Sequence, residues 1–183
     1  MDREEVLAAI KARVKNANLV KHMLASEAIM RALARRLGHD EEEWGLTGLL
    51  HDIDVELTQD DFARHSKEGA ELARGLGASE AMAHAILSHN EVHGVSRESL
   101  LDRALYAADP LTGLIVAAAL VRPDRKLSGL APESVMKRFG EKRFAAGASR
   151  EQMALCTEVG LELGDFISLG LEAMQGISSE LGL

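Results

Sequence analysis

A lone cysteine, Cys156, leaves no partner for an internal disulfide, so the fold of this 183-residue chain cannot depend on oxidation. Only three prolines and 3% aromatic residues are present. Strand-rich sandwiches and barrels need more β-branched and aromatic residues and more turn formers than this, whereas the abundant Ala, Leu, Glu and Arg favour helix. Positive charge is also in short supply: 21 Lys and Arg against 29 Asp and Glu give a net charge of −8. That balance argues against a general nucleic-acid binder and leaves room only for local basic patches. The longest unbroken apolar run, Leu114 to Val121, is too short to span a bilayer, and the start, Met1-Asp2-Arg3-Glu4-Glu5, lacks the pattern of a signal peptide. These absences predict a cytoplasmic protein with no membrane or nucleic-acid partner, and with one domain over residues 1–183.

What is present is helical periodicity. Apolar stripes and end signals place helices at about 3–15, 18–37, 41–53, 61–76, 79–91, 99–121, 132–145 and 150–175, seven or eight in all, with a break expected at Pro110 if the sixth is not continuous. Asp40 with Glu43 and Ser149 with Gln152 fit capping boxes, Pro132 fits a first helical position, and Gly38 and Gly77 fit helix ends. The expected result is a compact all-α bundle. The last helix, from Arg150 to Gln175, is expected to pack on its own core, and a homo-oligomer is not indicated.

Seven histidines carry the chemical interest. A buried imidazole needs a polar partner, and a metal ion is one such partner. His22 shares a stripe with Ser26, Ile29 and Leu33; His65 shares one with Phe62, Gly69 and Leu72; His89 follows Met82, Ala85 and Ile86. All three are expected to point inward, while His84 falls on another face and His93 lies past the helix end. His39-Asp40 reads as a helix cap. His51-Asp52 instead closes the apolar segment Trp44 to Leu50, where an ionised carboxylate would cost several kcal/mol unless a cation or strong donors compensated it. Gly45 and Gly48 would let neighbouring helices approach there. Asp109 is the one charged residue between Ala104 and Val121. It could cap a helix beginning at Pro110, or lie buried within a continuous one.

The order His22, His51-Asp52, His65, His89, Asp109 resembles the HD superfamily of metal-dependent phosphohydrolases over residues 18 to about 121, with the helices of residues 132–176 packing on that core. Leu49-Leu50-His51-Asp52-Ile53-Asp54 and His65-Ser66-Lys67-Glu68-Gly69-Ala70 are similar to the small stand-alone members with a two-metal ligand set. The cyclic-dinucleotide branch is disfavoured, because His89 is followed by Asn90 and no Gly-Tyr-Pro occurs. By this resemblance His22, His51, Asp52 and Asp109 would hold one metal, and His65, His89 and a bridging Asp52 a second, with His51 and Asp52 at the catalytic centre. Imidazole with carboxylate suits Fe, Mn, Zn, Co or Ni better than Mg alone. The implied function is hydrolysis of a phosphate ester or anhydride of a small molecule, perforce one that 3% aromatics would do little to stack, with a nucleotide as first guess. A di-iron oxygenase on the same ligands and a metal-stabilised sensor module are the alternatives. Lys67 is the nearest candidate for binding substrate phosphate, with Lys21, Arg122, Arg125 and Lys126 behind it.

Overall fold

Side-chain caps start most of the helices, and the computed structural model, which describes residues 1–183, shows where they act. Asp2, Asn16, Asp40, Ser79, Ser99 and Ser149 each accept a hydrogen bond from a first-turn backbone N–H, replacing a bond the helix itself cannot supply. The helices are α1 (Arg3–Arg13), α2 (Ala17–Leu37), α3 (Glu41–Leu50), α4 (Lys67–Gly75), α5 (Glu80–Ser88), α6 (Leu100–Leu120), α7 (Pro132–Phe139), α8 (Arg150–Ala154), α9 (Leu163–Gly176) and α10 (Ser178–Leu181). Two short 3-10 turns, Glu91–His93 and Leu155–Val159, join them, and there is no strand.

The all-α expectation holds, and several helix boundaries are corrected. Residues 61–66 are turns rather than helix, because Ser66 adopts a left-handed conformation (φ 68°) that no helix continues through. Residues 140–145 have also left the helix; the Arg150 guanidinium gathers the carbonyls of Arg138, Phe139, Phe144, Ala145 and Ala148 and holds that connection. The last expected helix is divided by the 3-10 turn and by Gly160 at φ 80°, and α10 lies beyond its expected end, which together bring eight helices to ten. Pro110 does not break α6: the helix runs through it from Leu100 to Leu120.

One apolar cluster of 45 buried residues runs from Val6 to Leu181. Its axis is α6, which packs against α2, α5, α7, α8 and α9. By length and mean hydropathy (1.3) α6 is also the one helix long and apolar enough to cross a membrane, and 67% of its most apolar 18-residue stretch is buried inside the fold, as befits a core helix. Two glycines set helix spacing. A Cβ on Gly170 of α9 would lie 2.6 Å from Leu111 of α6. A Cβ on Gly48 of α3 would lie 2.7 Å from the Ser26 carbonyl oxygen and 2.9 Å from Met30 Cγ, both on α2. Backbone cannot yield there as a side-chain tip can. Gly48→Val should therefore cost about 3 kcal/mol, the upper end for overpacking, and lower the thermal midpoint by roughly 6–12 °C for a chain of this size. Calorimetry showing an unchanged midpoint would contradict that packing.

Candidate metal centre

Five elements each deliver part of one polar cluster. α2 carries His22; α3 ends in His51, which is fully buried, and Asp52 follows; the turns after it bring in His65; α5 ends in His89; and the middle of α6 contributes Asp109. Every residue from Trp44 to Leu50 is buried, as the apolar run predicted.

Each imidazole is held by its Nδ1. His51 donates to the Gly48 carbonyl (2.8 Å) and His89 to the Ile86 carbonyl (2.5 Å). His65 donates to Oδ1 of Asp54 (2.9 Å). His22 donates to Thr112 Oγ1 (2.8 Å), whose own proton goes to the Asp109 carbonyl (2.8 Å). Carbonyl and carboxylate oxygens only accept, so Nδ1 carries the proton and the lone pair sits on Nε2 in the neutral rings. All four Nε2 atoms then face the Asp52 carboxylate.

The carboxylate of Asp52 divides those nitrogens into two pairs. Its Oδ2 lies 3.5 Å from Nε2 of both His22 and His51, while its Oδ1 lies 3.4 Å from Nε2 of His65 and 3.6 Å from that of His89. Asp109 joins the first group, with Oδ1 3.1 Å from His22 and 3.8 Å from His51. Electrostatics follow the geometry. Burial disfavours charge on His22 and His51, but Asp109 and Asp52 outweigh it and raise both. Burial likewise resists ionisation of Asp52 and Asp109, yet the facing imidazoles hold both carboxyls far below their usual range.

The donor set fits a divalent metal. Nε2 of His22 and of His51 stand 3.1 Å apart, so without a shared proton or cation two lone pairs would oppose each other. His22, His51 and Asp109 form one group whose ligand atoms lie within 4.8 Å of one another, and His51, Asp52 and His89 form another. Neutral imidazole plus carboxylate is the chemistry of first-row transition ions.

A cavity of about 370 Å³ opens onto Asp52 and Asp109. Phe62 and Val92 stand at its rim, 62% and 57% exposed. Asn90 ties the two rim segments together: its amide donates to the carbonyls of Phe62 (3.2 Å) and His65 (3.1 Å), and its oxygen accepts from Val92 N (3.1 Å).

The structure brings all six expected ligands together. It reverses the expectation for Phe62, which is not on an inward stripe with His65; the Ser66 turn aims His65 instead. Lys67 is exposed on the first turn of α4 and does not line the cavity at Asp52. His84 is half-buried and paired with Asp102 (3.0 Å), and His93 donates to the His65 carbonyl (2.7 Å), holding the loop behind that ring. Sequence reasoning missed Asp54 and Thr112. Asp54 offered a faint signal, a second acid two residues after Asp52 in an otherwise apolar stretch; Thr112, as the fourth residue of a turn counted from Asp109, offered none.

Comparison with known proteins gives a match to the HD domain family over residues 19–114, which contains all six clustered residues. Among curated proteins, ribonuclease Y of Oleidesulfovibrio alaskensis is 34% identical over 110 residues, covering 60% of this chain and 21% of that protein. Ribonuclease Y of Sulfurovum sp. is 31% identical over 153 residues (82% and 28%), and that of Syntrophobacter fumaroxidans 29% over 168 residues (91% and 30%). The chain thus spans less than a third of the length of these relatives. No solved structure matches it. Relatives named as ribonucleases overturn the expectation of a small phosphorylated substrate with nucleic acid excluded. The physical flaw in that expectation is that net charge is an average over the surface, whereas a strand meets only the patch beside the site.

Proposed function

The chain belongs to the HD-domain family, and from that premise we propose that it hydrolyses phosphodiester bonds in RNA at a metal centre held by His22, His51, Asp52, His65, His89 and Asp109. The observation that carries the reading is the division of labour at Asp52, whose two oxygens face two separate ligand groups. That arrangement suits two ions sharing one carboxylate. Divalent ions such as Mn, Fe, Co, Ni or Zn would supply Lewis acidity and lower the pKa of a bound water.

The protein's own groups do the rest. Asp52 and His51 would be the catalytic pair: His51 is fully buried, and Asp52 presents one oxygen to each ligand group. Asp109, with 32% of its side chain exposed, borders the opening through which a phosphate enters. Anchors on Nδ1, a carbonyl for His51 and His89, the Asp54 carboxylate for His65 and the Thr112 hydroxyl for His22, fix the orientation of every imidazole before substrate arrives. The ribonuclease names of the relatives support RNA as the substrate class, and so does the rim. Phe62 is one of few aromatic residues, yet it stands open beside the centre, its ring centroid 5.4 Å from that of His65. A base can stack on it.

The test is elemental analysis of the purified protein, then a strand-cleavage assay with each of these metals restored. Cleavage that tracks occupancy is expected; no hydrolysis of any phosphodiester at full occupancy would refute the assignment. Phe62→Ala should raise KM for an RNA strand about tenfold, within the ~1–3 kcal/mol of one base–aromatic stack, with a smaller change in kcat. Steady-state kinetics with an unaltered KM would remove Phe62 from the substrate path.

A further inference from the structure

The cavity at Phe62 is one of two that flank the centre. On the other side of His22 lies a second, of about 460 Å³, lined by Asn18, Lys21, His22, Thr112, Val116 and the terminal residues Leu181 to Leu183. The two meet at the ligands themselves, since Asp109 borders the first, His22 borders the second, and their polar atoms are 3.1 Å apart. Lys21 then lines a third hollow of about 390 Å³ together with Lys11 and Lys15. Three lysines therefore lead away from the metal centre past the connection between α1 and α2.

Their ammonium groups make no ion pair. Every ion pair in this protein is made by an arginine or a histidine, and no lysine takes part in one. The nearby acids are few: Glu180 borders the hollow, and Glu56 accepts from the backbone N–H groups of Lys15 and Asn16. Lys15 Nζ donates to the Lys11 carbonyl and keeps further donors free. What sets these three apart is their grouping: in a chain of net charge −8 they border one hollow. Lysine is a point charge that contacts phosphate oxygens without reading bases.

We propose that this track binds the phosphate backbone of a single-stranded nucleic acid, so that a strand crosses the centre with bases at Phe62 on one side and phosphates on Lys21, Lys15 and Lys11 on the other. This rests on the hydrolase reading and adds to it that the substrate is a strand engaged on both sides of the scissile bond. An anionic lipid surface would offer the same charge, but the track is continuous with a phosphoester-cleaving centre set among helices, which favours a flexible strand.

The experiment uses the full chain as purified and a labelled oligouridylate of about twelve nucleotides, with binding followed by fluorescence anisotropy across a salt series. Lys11→Ala, Lys15→Ala and Lys21→Ala are combined in one variant, and its thermal midpoint is checked. The combined variant should bind at least about tenfold more weakly, and its plot of log affinity against log salt should flatten by about two, from ~0.7 per lost phosphate contact. A deoxy strand of equal length should show the same loss, because the track reads phosphates alone. Unchanged affinity and slope in the variant would overturn the proposal, as would a wild type that ignores both strands or prefers anionic vesicles. Turnover of a chromogenic phosphodiester without strand binding overturns the track and leaves the hydrolase reading standing. Track-dependent strand binding without turnover at any metal supports the track and overturns the hydrolase.

Discussion

Asp52→Ala should lower turnover at least about a thousandfold, or ~4 kcal/mol of barrier, and should strip the purified protein of metal while the helices remain. Its carboxylate is the one group that faces all of His22, His51, His65 and His89, at 3.4 to 3.6 Å. Removing it takes the shared ligand from both halves of the centre, and the Lewis acidity worth several kcal/mol goes with it. The apolar frame should survive, because residues 44–50 are packed by their neighbours and not by Asp52. Elemental analysis, circular dichroism and the cleavage assay read these three outcomes separately. Retention of full metal content together with a tenth of the activity would show that Asp52 does not bridge.

Asp54→Asn should act on one half only. Asp54 is fully buried; its Oδ1 accepts from His65 Nδ1, and its Oδ2 accepts from the backbone N–H groups of Ser66 and Gly69, each at 2.8 Å. Asparagine keeps one acceptor oxygen and turns an NH2 toward a donor, so a ring orientation or a backbone N–H must be given up. Loss of such a supporting partner typically costs 10–100-fold in metal affinity, and an unsatisfied buried donor adds ~1–3 kcal/mol of instability. Metal titration should show the position formed by His65 and His89 weakened and the one formed by His22, His51 and Asp109 retained. A variant with a lower thermal midpoint but unchanged stoichiometry and affinity would reduce Asp54 to a structural role. Gly69 belongs to the same device, since a Cβ there would come within 3.1 Å of the Asp54 carboxylate.

Much of this was legible in the chain. Caps such as Asp40 and Ser149 announce themselves by a local bond that needs no knowledge of the fold. His22 and His89 could be aimed from their helices, because a stripe of buried neighbours fixes the direction of each side chain. His65 could not. It is oriented by a left-handed serine and a carboxylate eleven residues earlier, and no periodicity encodes that. The same holds for the end of α7, which depends on a guanidinium from Arg150 that collects carbonyls across the turn. Nor could overall composition reveal where the cations lie: the deficit of positive charge is real, yet Lys21 lines a cavity with His22 and shares a further hollow with Lys15 and Lys11. Few aromatics likewise said nothing about the place of Phe62.

The length of α6 has a consequence for how much chain the chemistry requires. On one side it presents Asp109 and Thr112 to the centre; on another, Leu111 is pressed against Gly170 of α9. The rod is shared, so a disturbance among helices that donate no ligand is delivered within a single turn to the carboxylate that does. The stretch bearing the recognisable pattern, residues 22 to 109, is thus shorter than the stretch that must fold before the pattern can close.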